Sequence, residues 1–364
     1  MTNNCYNLKR RKTIPVRIGN VWVGGDYPIS VQSMTNTDTR DVKATVRQIK
    51  SLTKAGCEII RIAVLNSDAA AKIDEIKKQI SIPLIADIHF DYRLALTAIK
   101  QGVDGLRLNP GNIKDKSKVK MVVKEAKSRE IPIRAGVNLG SVPVKIIKKY
   151  NNDYSGAMVH TAFEHIKILE DMNFTLIKVS LKANDIQKTI QAYKLLAEQC
   201  EYPFHIGITE AGTEFSGTVK SAIGLGILLY EGIGDTIRVS LTANPVKEVK
   251  AGWEILKALN IRQRGPKLIS CPTCGRCEID LISLAKEVEK RLKKYSTPIT
   301  VAVMGCVVNG PGEARMADIG IAGSKDGGIL FKKGKILGFI KEDKLIKALF
   351  EEIEKLDYAV LPIT

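Results

Sequence analysis

The feature that most restricts this chain is a repeat. From Ile29 onward a short apolar, β-branched run gives way to a polar turn, then to a segment of helical spacing, and the cycle begins again. Eight such runs predict strands at Ile29–Met34, Glu58–Val64, Pro83–Ile88, Gly105–Leu108, Ile131–Val137, Leu176–Val179, Phe204–Ile208 and Thr236–Val239. Runs this continuously apolar suit strands buried on both faces, as in a parallel sheet. Between them Val42, Val46, Ile49 and Leu52 share one helical stripe. Glu164–Met172, Asp185–Cys200, Val219–Tyr230 and Val246–Leu259 read as further helices. Eight β/α units within about 230 residues match the size of a (β/α)8 barrel. A doubly wound open sheet is the alternative. The count of eight, and the lack of a Gly-x-Gly-x-x-Gly turn after the first strand, weigh against it.

The pattern changes after residue 259. Residues 260–268, with Gly265-Pro266, read as a linker, and 269–364 as a smaller α+β domain. In that domain Leu281, Leu284, Val288 and Leu292 form one helix stripe, and Leu345, Leu349, Ile353 and Leu356 another. Strands are predicted at Ile299–Val303, Asp318–Ile321, Ile329–Phe331 and Lys335–Phe339. The expected fold class is therefore α/β: a TIM-like barrel over 1–259 and an α+β domain after it.

Four of the seven cysteines fall between Ser270 and Glu313. An odd total with one tight group argues against a secreted disulfide framework and for a reducing, cytoplasmic setting. No secretory signal is visible in 1–19, and no apolar run reaches the ~18 residues of a membrane span. Cys271-Pro272-Thr273-Cys274 turns two sulfurs to one point, and Cys306 can add a third. Such thiolates suit zinc or an iron–sulfur cluster. The working expectation is a 4Fe-4S cluster on Cys271, Cys274 and Cys306, with Glu313 as a weaker fourth ligand. Cys277 extends the first pair to Cys-x-x-Cys-x-x-Cys, so the choice of three sulfurs stays open. Cys57, in an apolar strand, reads as a buried hydrophobe.

The net charge of +17 has three readings: nucleic acid, a phosphorylated substrate, or a lysine-rich surface. No aromatic-rich RNA-binding segment accompanies the basic residues. Barrel active sites form at the C-terminal ends of the strands. There the chain places Arg61, Arg107, Arg134, Lys178, Lys182 and Arg238. Cations converging from several strands fit a diphosphate better than they fit solubility. Asn109, Asn112, Asn138, Ser180, His205 and Ser240 accompany them, and Ser270 precedes the first cysteine of the pair. Asp87, His89 and Glu210 are candidates for orienting hydroxyls or moving protons. The competing reading for each Arg alone is a rim salt bridge, and for His205 a satisfied rim histidine.

These residues resemble a known family. Val31-Gln32-Ser33-Met34-Thr35, Leu84-Ile85-Ala86-Asp87-Ile88-His89-Phe90, Arg107-Leu108-Asn109-Pro110-Gly111-Asn112, Ser270-Cys271-Pro272-Thr273-Cys274 and Gly305-Cys306-Val307-Val308-Asn309-Gly310-Pro311-Gly312-Glu313 are similar to motifs of 4-hydroxy-3-methylbut-2-enyl diphosphate synthases. The resemblance covers nearly the whole chain, in the short two-domain bacterial form. It implies reductive opening of 2-C-methyl-D-erythritol 2,4-cyclodiphosphate in isoprenoid biosynthesis. It also implies a 4Fe-4S cluster on Cys271, Cys274, Cys306 and Glu313, with Cys277 outside the ligand set. The implied partners are ferredoxin or flavodoxin as electron donor and a second copy, in a homodimer sharing its active site. Neither nucleic acid nor membrane is implied. Two rivals are set aside by different observations. A radical S-adenosylmethionine enzyme usually shows Cys-x-x-x-Cys-x-x-Cys near the first strand, and this chain has none there. A zinc-binding RNA protein would be colourless and bind RNA with strong salt dependence.

Overall fold

The structure, a computed structural model, describes residues 9–88, 91–109, 111, 113, 115–307 and 314–356. It divides into two compact units, Met1–Arg262 and Gln263–Thr364. Among the described residues no helix is long and apolar enough to cross a membrane.

The first unit opens with a hairpin, β1 (Val16–Ile18) and β2 (Val21–Val23), which the sequence reading did not anticipate. The barrel strands follow: β3 (Ser30–Met34), β4 (Ile59–Ala63), β5 (Leu84–Asp87), β6 (Gly105–Arg107), β7 (Ile133–Asn138), β8 (Ile177–Lys182), β9 (His205–Ile206) and β10 (Thr236–Ile237). They form one eight-stranded sheet in the order β8-β7-β6-β5-β4-β3-β10-β9. A parallel bridge from Val179 to Phe204 joins its two edges. Tyr193 strengthens that seam: its hydroxyl donates to His205 O at 2.6 Å and accepts from Leu181 N at 3.0 Å. The expected eight-stranded barrel is present.

The outer helices are α1 (Val42–Ala55), α2 (Ser67–Ala71), α3 (Ile73–Lys77), α4 (Tyr92–Lys100), α5 (Lys116–Ser128), α6 (Val144–Lys149), α7 (Tyr154–Glu170), α8 (Ile186–Ala197), α9 (Glu214–Tyr230) and α10 (Pro245–Ala258). Asp41, Asp91, Asp115, Asp153, Asp185 and Asn244 cap six of them by accepting from first-turn amides. Such a cap contributes about 1 kcal/mol and fixes where the helix begins. Helix α7 starts well before the predicted Glu164, because the Asp153 cap outweighs the weak propensities of Gly156 and Thr161.

Followed strand by strand around the barrel, the register returns displaced by eight residues, the shear of a TIM barrel. That shear sorts the inward positions into layers of four. From the bottom they are Ile59, Gly105, Lys178 and Thr236; then Gln32, Ile85, Arg134 and His205; then Arg61, Arg107, Ser180 and Arg238. Above these come Met34, Asp87, Gly136 and Gly207, and at the top Ala63, Asn109, Lys182 and Ser240. The usual filling of such layers is Val, Ile and Leu. Here the Val, Ile and Leu filling is confined to the two lowest layers, where Ile18 and Val23 of the hairpin pack with Ile59 and Ile85.

The second unit is a five-stranded sheet: β11 (Lys267–Ser270), β12 (Thr300–Met304), β13 (Ile319–Ser324), β14 (Gly327–Lys332) and β15 (Lys335–Lys341). The first three strands run parallel and the last two antiparallel. Helix α11 (Leu281–Leu292) and the helix Leu345–Glu354 bury Val288, Leu292, Leu349 and Ile353 against Val301, Val303 and Ile321. The hairpin turns at Lys333 and Gly334, both at positive φ (48° and 76°), where the sequence put it. The predicted linker ran to Leu268, but Lys267 and Leu268 pair with Thr300 and Val301 and belong to the sheet.

Candidate active site

Alternation along the strands delivers the polar side chains to the barrel interior. On β8, Lys178, Ser180 and Lys182 point inward at every second position, and all three are buried. Register places Asp87 beside Arg107, Arg107 beside Arg134, and Arg134 beside Lys178. Asp87 is the counter-ion for two of them, 3.4 Å from Arg61 Nε and 3.2 Å from Arg107 Nη1. Arg61 also donates to Met34 Sδ, at 3.0 Å through Nη2. Lys178 Nζ donates to Thr236 Oγ1 at 3.2 Å. Arg238 lies 3.8 Å from Glu248, which itself accepts from Ser33 Oγ and Leu241 N.

Six cations in this set face two carboxylates. The surplus shows in the protonation equilibria. Burial pulls the Arg61 guanidinium down to about 10, even though Asp87 opposes the shift. Burial, reinforced by neighbouring arginines, pushes Arg134, Lys178 and Lys182 well below their ordinary values. Arg134 Nε and Nη1, both amide atoms of Gln32 and both ring nitrogens of His205 are buried without a hydrogen-bond partner among the described residues. Buried donors left this way cost about 1–3 kcal/mol each, more when charged. The arrangement is chemically an anion receptor.

The structure brings Arg61, Asp87, Arg107, Asn109, Arg134, Lys178, Ser180, Lys182, His205 and Arg238 into one interior. Asn109 is held by accepting from Gly136 N at 3.0 Å. Asn138 and Ser240 are half-buried toward the mouth. Glu210 is exposed after β9 with φ at +52°, a conformation that strains a non-glycine residue. Lys178 and His205 lie in the two lowest layers rather than at the rim, because β8 continues to Lys182 and β9 begins at His205. His89, Asn112 and Glu313 lie outside the described residues, and Ser270 belongs to the second unit. Gln32, Thr236 and Glu248 were missed. Glu248 had a signal: it occupies the buried stripe of α10 with Gly252 and Leu256.

Two glycines shape the upper interior. A Cβ at Gly207 would stand 2.5 Å from Arg238 O and 2.7 Å from Lys182 Nζ. One at Gly136 would stand 3.0 Å from Ser180 Oγ and 3.3 Å from Arg107 Nε. Their missing side chains are the room the cations occupy.

In the second unit, Ser270 of β11 lies beside Val303 of the parallel strand β12. Cys271 and Cys306 therefore leave the same end of the sheet. Gly305 N donates to Cys271 Sγ at 3.2 Å, a contact that favours a thiolate. Glu278 N donates to Gly305 O at 3.1 Å, so the loop carrying Cys274 and Cys277 folds back onto Gly305. Cys274 is exposed. Cys277 is committed elsewhere: its thiol donates to Ile279 O at 3.2 Å, and a Cβ on Gly305 would stand 2.8 Å from its sulfur. Among the described residues no three His, Cys, Asp or Glu side chains gather about a single metal ion. A four-iron cube takes each cysteine on a separate iron, so its ligands stand further apart than those of one ion. The donor chemistry at this sheet end fits such a cluster. Cys57, by contrast, is buried in the barrel unit, and burial pushes its thiol up to about 12, as a packing residue requires.

Comparison with known proteins agrees in both units. Residues 13–253 match the family described as GcpE TIM-barrel domain, and residues 267–355 match the GcpE protein C-terminal domain. The chain is 58% identical over 347 residues to a Geobacter sulfurreducens protein named 4-hydroxy-3-methylbut-2-en-1-yl diphosphate synthase (flavodoxin), covering 95% of this chain and 98% of that one. A Thermodesulfovibrio yellowstonii protein of the same name is 58% identical over 348 residues, covering 96% and 100%. Among solved structures, a dihydropteroate synthase from Stenotrophomonas maltophilia with active-site-bound imidazole superposes with a TM-score of 0.50. It is 11% identical, covers 68% of this chain and 97% of that one, and shares the fold alone. Matched in order along both of its units, and over nearly the full length of its relatives, the chain belongs to the GcpE family.

Proposed function

We propose that this chain converts 2-C-methyl-D-erythritol 2,4-cyclodiphosphate to 4-hydroxy-3-methylbut-2-enyl diphosphate, a step of isoprenoid biosynthesis, taking electrons from flavodoxin. Its relatives carry that enzyme name. The observation that carries the reading is the cationic barrel interior, with six cations against two carboxylates and, among the described residues, no hydrogen-bond partner for Arg134 Nε and Nη1. Phosphate oxygens are the natural occupants of such a site, and guanidinium groups grip them bidentately.

Arg61, Arg107, Arg134, Lys182 and Arg238 bind the two phosphates in this scheme. Asn109, Asn138, Ser180 and Ser240 orient the sugar-derived hydroxyls. Asp87, fixed by its two arginines, accepts from a hydroxyl. Glu210 and His89 are the candidates for moving a proton at the mouth. Cys271, Cys274, Cys306 and Glu313 would hold a 4Fe-4S cluster, which supplies the two electrons when bound. Cys277 packs the loop instead. A homodimer with a shared active site and a cytoplasmic location complete the proposal; ferredoxin is the alternative donor.

The test is direct. Protein purified without oxygen is assayed for iron and sulfide, expected at about four of each per chain. It is then supplied with the cyclic diphosphate and reduced flavodoxin. Iron-free protein, or iron-loaded protein that leaves the cyclic diphosphate intact, refutes the reading.

A further inference from the structure

We propose that His205 takes up a proton when the anionic substrate enters the barrel, so that binding and protonation of the barrel floor are one event. The inference rests on the diphosphate reading above and adds a residue role to it.

The geometry is unusual for a buried histidine. His205 is fully buried at the start of β9, and Tyr193 anchors its backbone carbonyl at 2.6 Å. The ring shares its layer with Gln32, Ile85 and Arg134 and sits just above Lys178 and Thr236. Neither ring nitrogen has a partner among the described residues, and neither does Oε1 of Gln32 in the same layer. A neutral imidazole has one donor and one acceptor, whereas an imidazolium has two donors.

The charges facing the ring come from several strands. Lys178 and Lys182 face it from β8, Arg134 from β7 and Arg61 from β4; all four oppose its protonation. From β10 it meets the neutral Thr236, with Arg238 one layer above. The nearby carboxylates are already engaged. Asp87 is paired with Arg61 and Arg107. Asp235 is paired with Arg10 and accepts from Phe204 N. Burial and these cations together hold the ring neutral in the free protein.

An entering diphosphate reverses the balance. Its charge offsets the positive field from Arg134, Lys182 and Arg61, and the opposition to a further cation falls. The ring then binds a proton from solvent. An imidazolium offers two N–H donors, one for a phosphate oxygen above and one for the unpartnered amide oxygen of Gln32 in the same layer. The sign follows from linkage. A group that gains protons on binding makes binding stronger at low pH and weaker at high pH. The slope persists between the free and bound ionisation ranges of the ring and vanishes below the free one, where the ring is protonated in both states.

Calorimetric titration of the intact, cluster-loaded protein with the cyclic diphosphate, in Tris and in HEPES, counts the protons exchanged. The same titrations on His205→Gln remove the ligand's own contribution by difference. Near neutral pH the wild type is expected to take up roughly one proton more per site than the variant. Its affinity should weaken by up to about tenfold per pH unit over the same window, while that of the variant stays flatter. Lys178→Met gives a second measurement with the ring intact: one opposing cation fewer leaves the ring partly protonated beforehand, and the uptake shrinks. An equal proton count in wild type and His205→Gln overturns the inference and leaves the diphosphate reading standing. Failure of the wild type to bind either the cyclic diphosphate or inorganic pyrophosphate overturns both.

Discussion

The two units hold their chemistry by opposite means. In the barrel, the functional side chains stand on strands, point inward at every second position and are buried. In the second unit, the cysteines stand on loops beyond strand ends, half-buried or exposed. The barrel keeps like charges close and holds them there with parallel ladders, capped helices and the Tyr193 seam. Among the described residues the cysteine loops are tied by hydrogen bonds around Gly305, and in the proposed function the group they hold would supply further order. Preorganisation suits the gripping of a charged substrate, since the receptor need not rearrange. A cluster supplies its own rigidity.

The comparison can be broken most easily at Cys306. Cys306→Ser is expected to lose its iron and at least ~10³-fold in turnover, about 4 kcal/mol, while binding the cyclic diphosphate within roughly tenfold of wild type. Iron content and calorimetry read the two halves separately, and equal loss of both would show the units are not independent.

The barrel seam is tested by Tyr193→Phe, which strips a donor from His205 O and an acceptor from Leu181 N. Unfolding in urea should reveal a loss of about 2–4 kcal/mol. No change would mean that the single bridge at Val179 suffices.

His165 gives the pH dependence of the same unit. Burial, then Arg107, lowers it to about 4 from an unfolded value near 6.5. Its contribution is intact above pH 6.5 and is lost as pH falls toward 4, amounting to about 3 kcal/mol. His165→Gln should flatten that acid limb in thermal melts across pH 4–7.

Arg107→Ala removes one cation of the proposed diphosphate site. KM should rise by about ten- to a hundredfold with a smaller fall in kcat, since phosphate grip acts in ground and transition states alike. The smallest effect belongs to Cys277→Ser, which should keep its iron and most of its activity. Iron lost there would put Cys277 among the ligands.

Much of this was legible beforehand. Eight apolar runs announced the barrel because strands buried on both faces leave an unbroken hydrophobic signal. Arg61, Arg107, Arg134 and Lys182 were legible as cations near the strand ends, and the structure gathers them in one interior. Two of the errors share one cause. The run ending in Ser180 and Lys182 was cut short at Val179, because inward polar residues of a polar-lined barrel look like the start of a loop. His205 was placed at the rim for the same reason. Helices α5 and α6 were passed over because lysines dominate Lys116–Ser128 and Val144–Lys149. The layer structure was invisible, since shear is a property of pairing and not of any one strand. The hairpin β1–β2 was missed because two three-residue strands carry too little periodicity to register.

That hairpin has a consequence for turnover. With Ile18 and Val23 packed against Ile59 and Ile85 at the lower end, traffic into the barrel is left to the end where the strands finish. Water displaced by an arriving molecule must retreat past it, and spent product must back out before the next one enters.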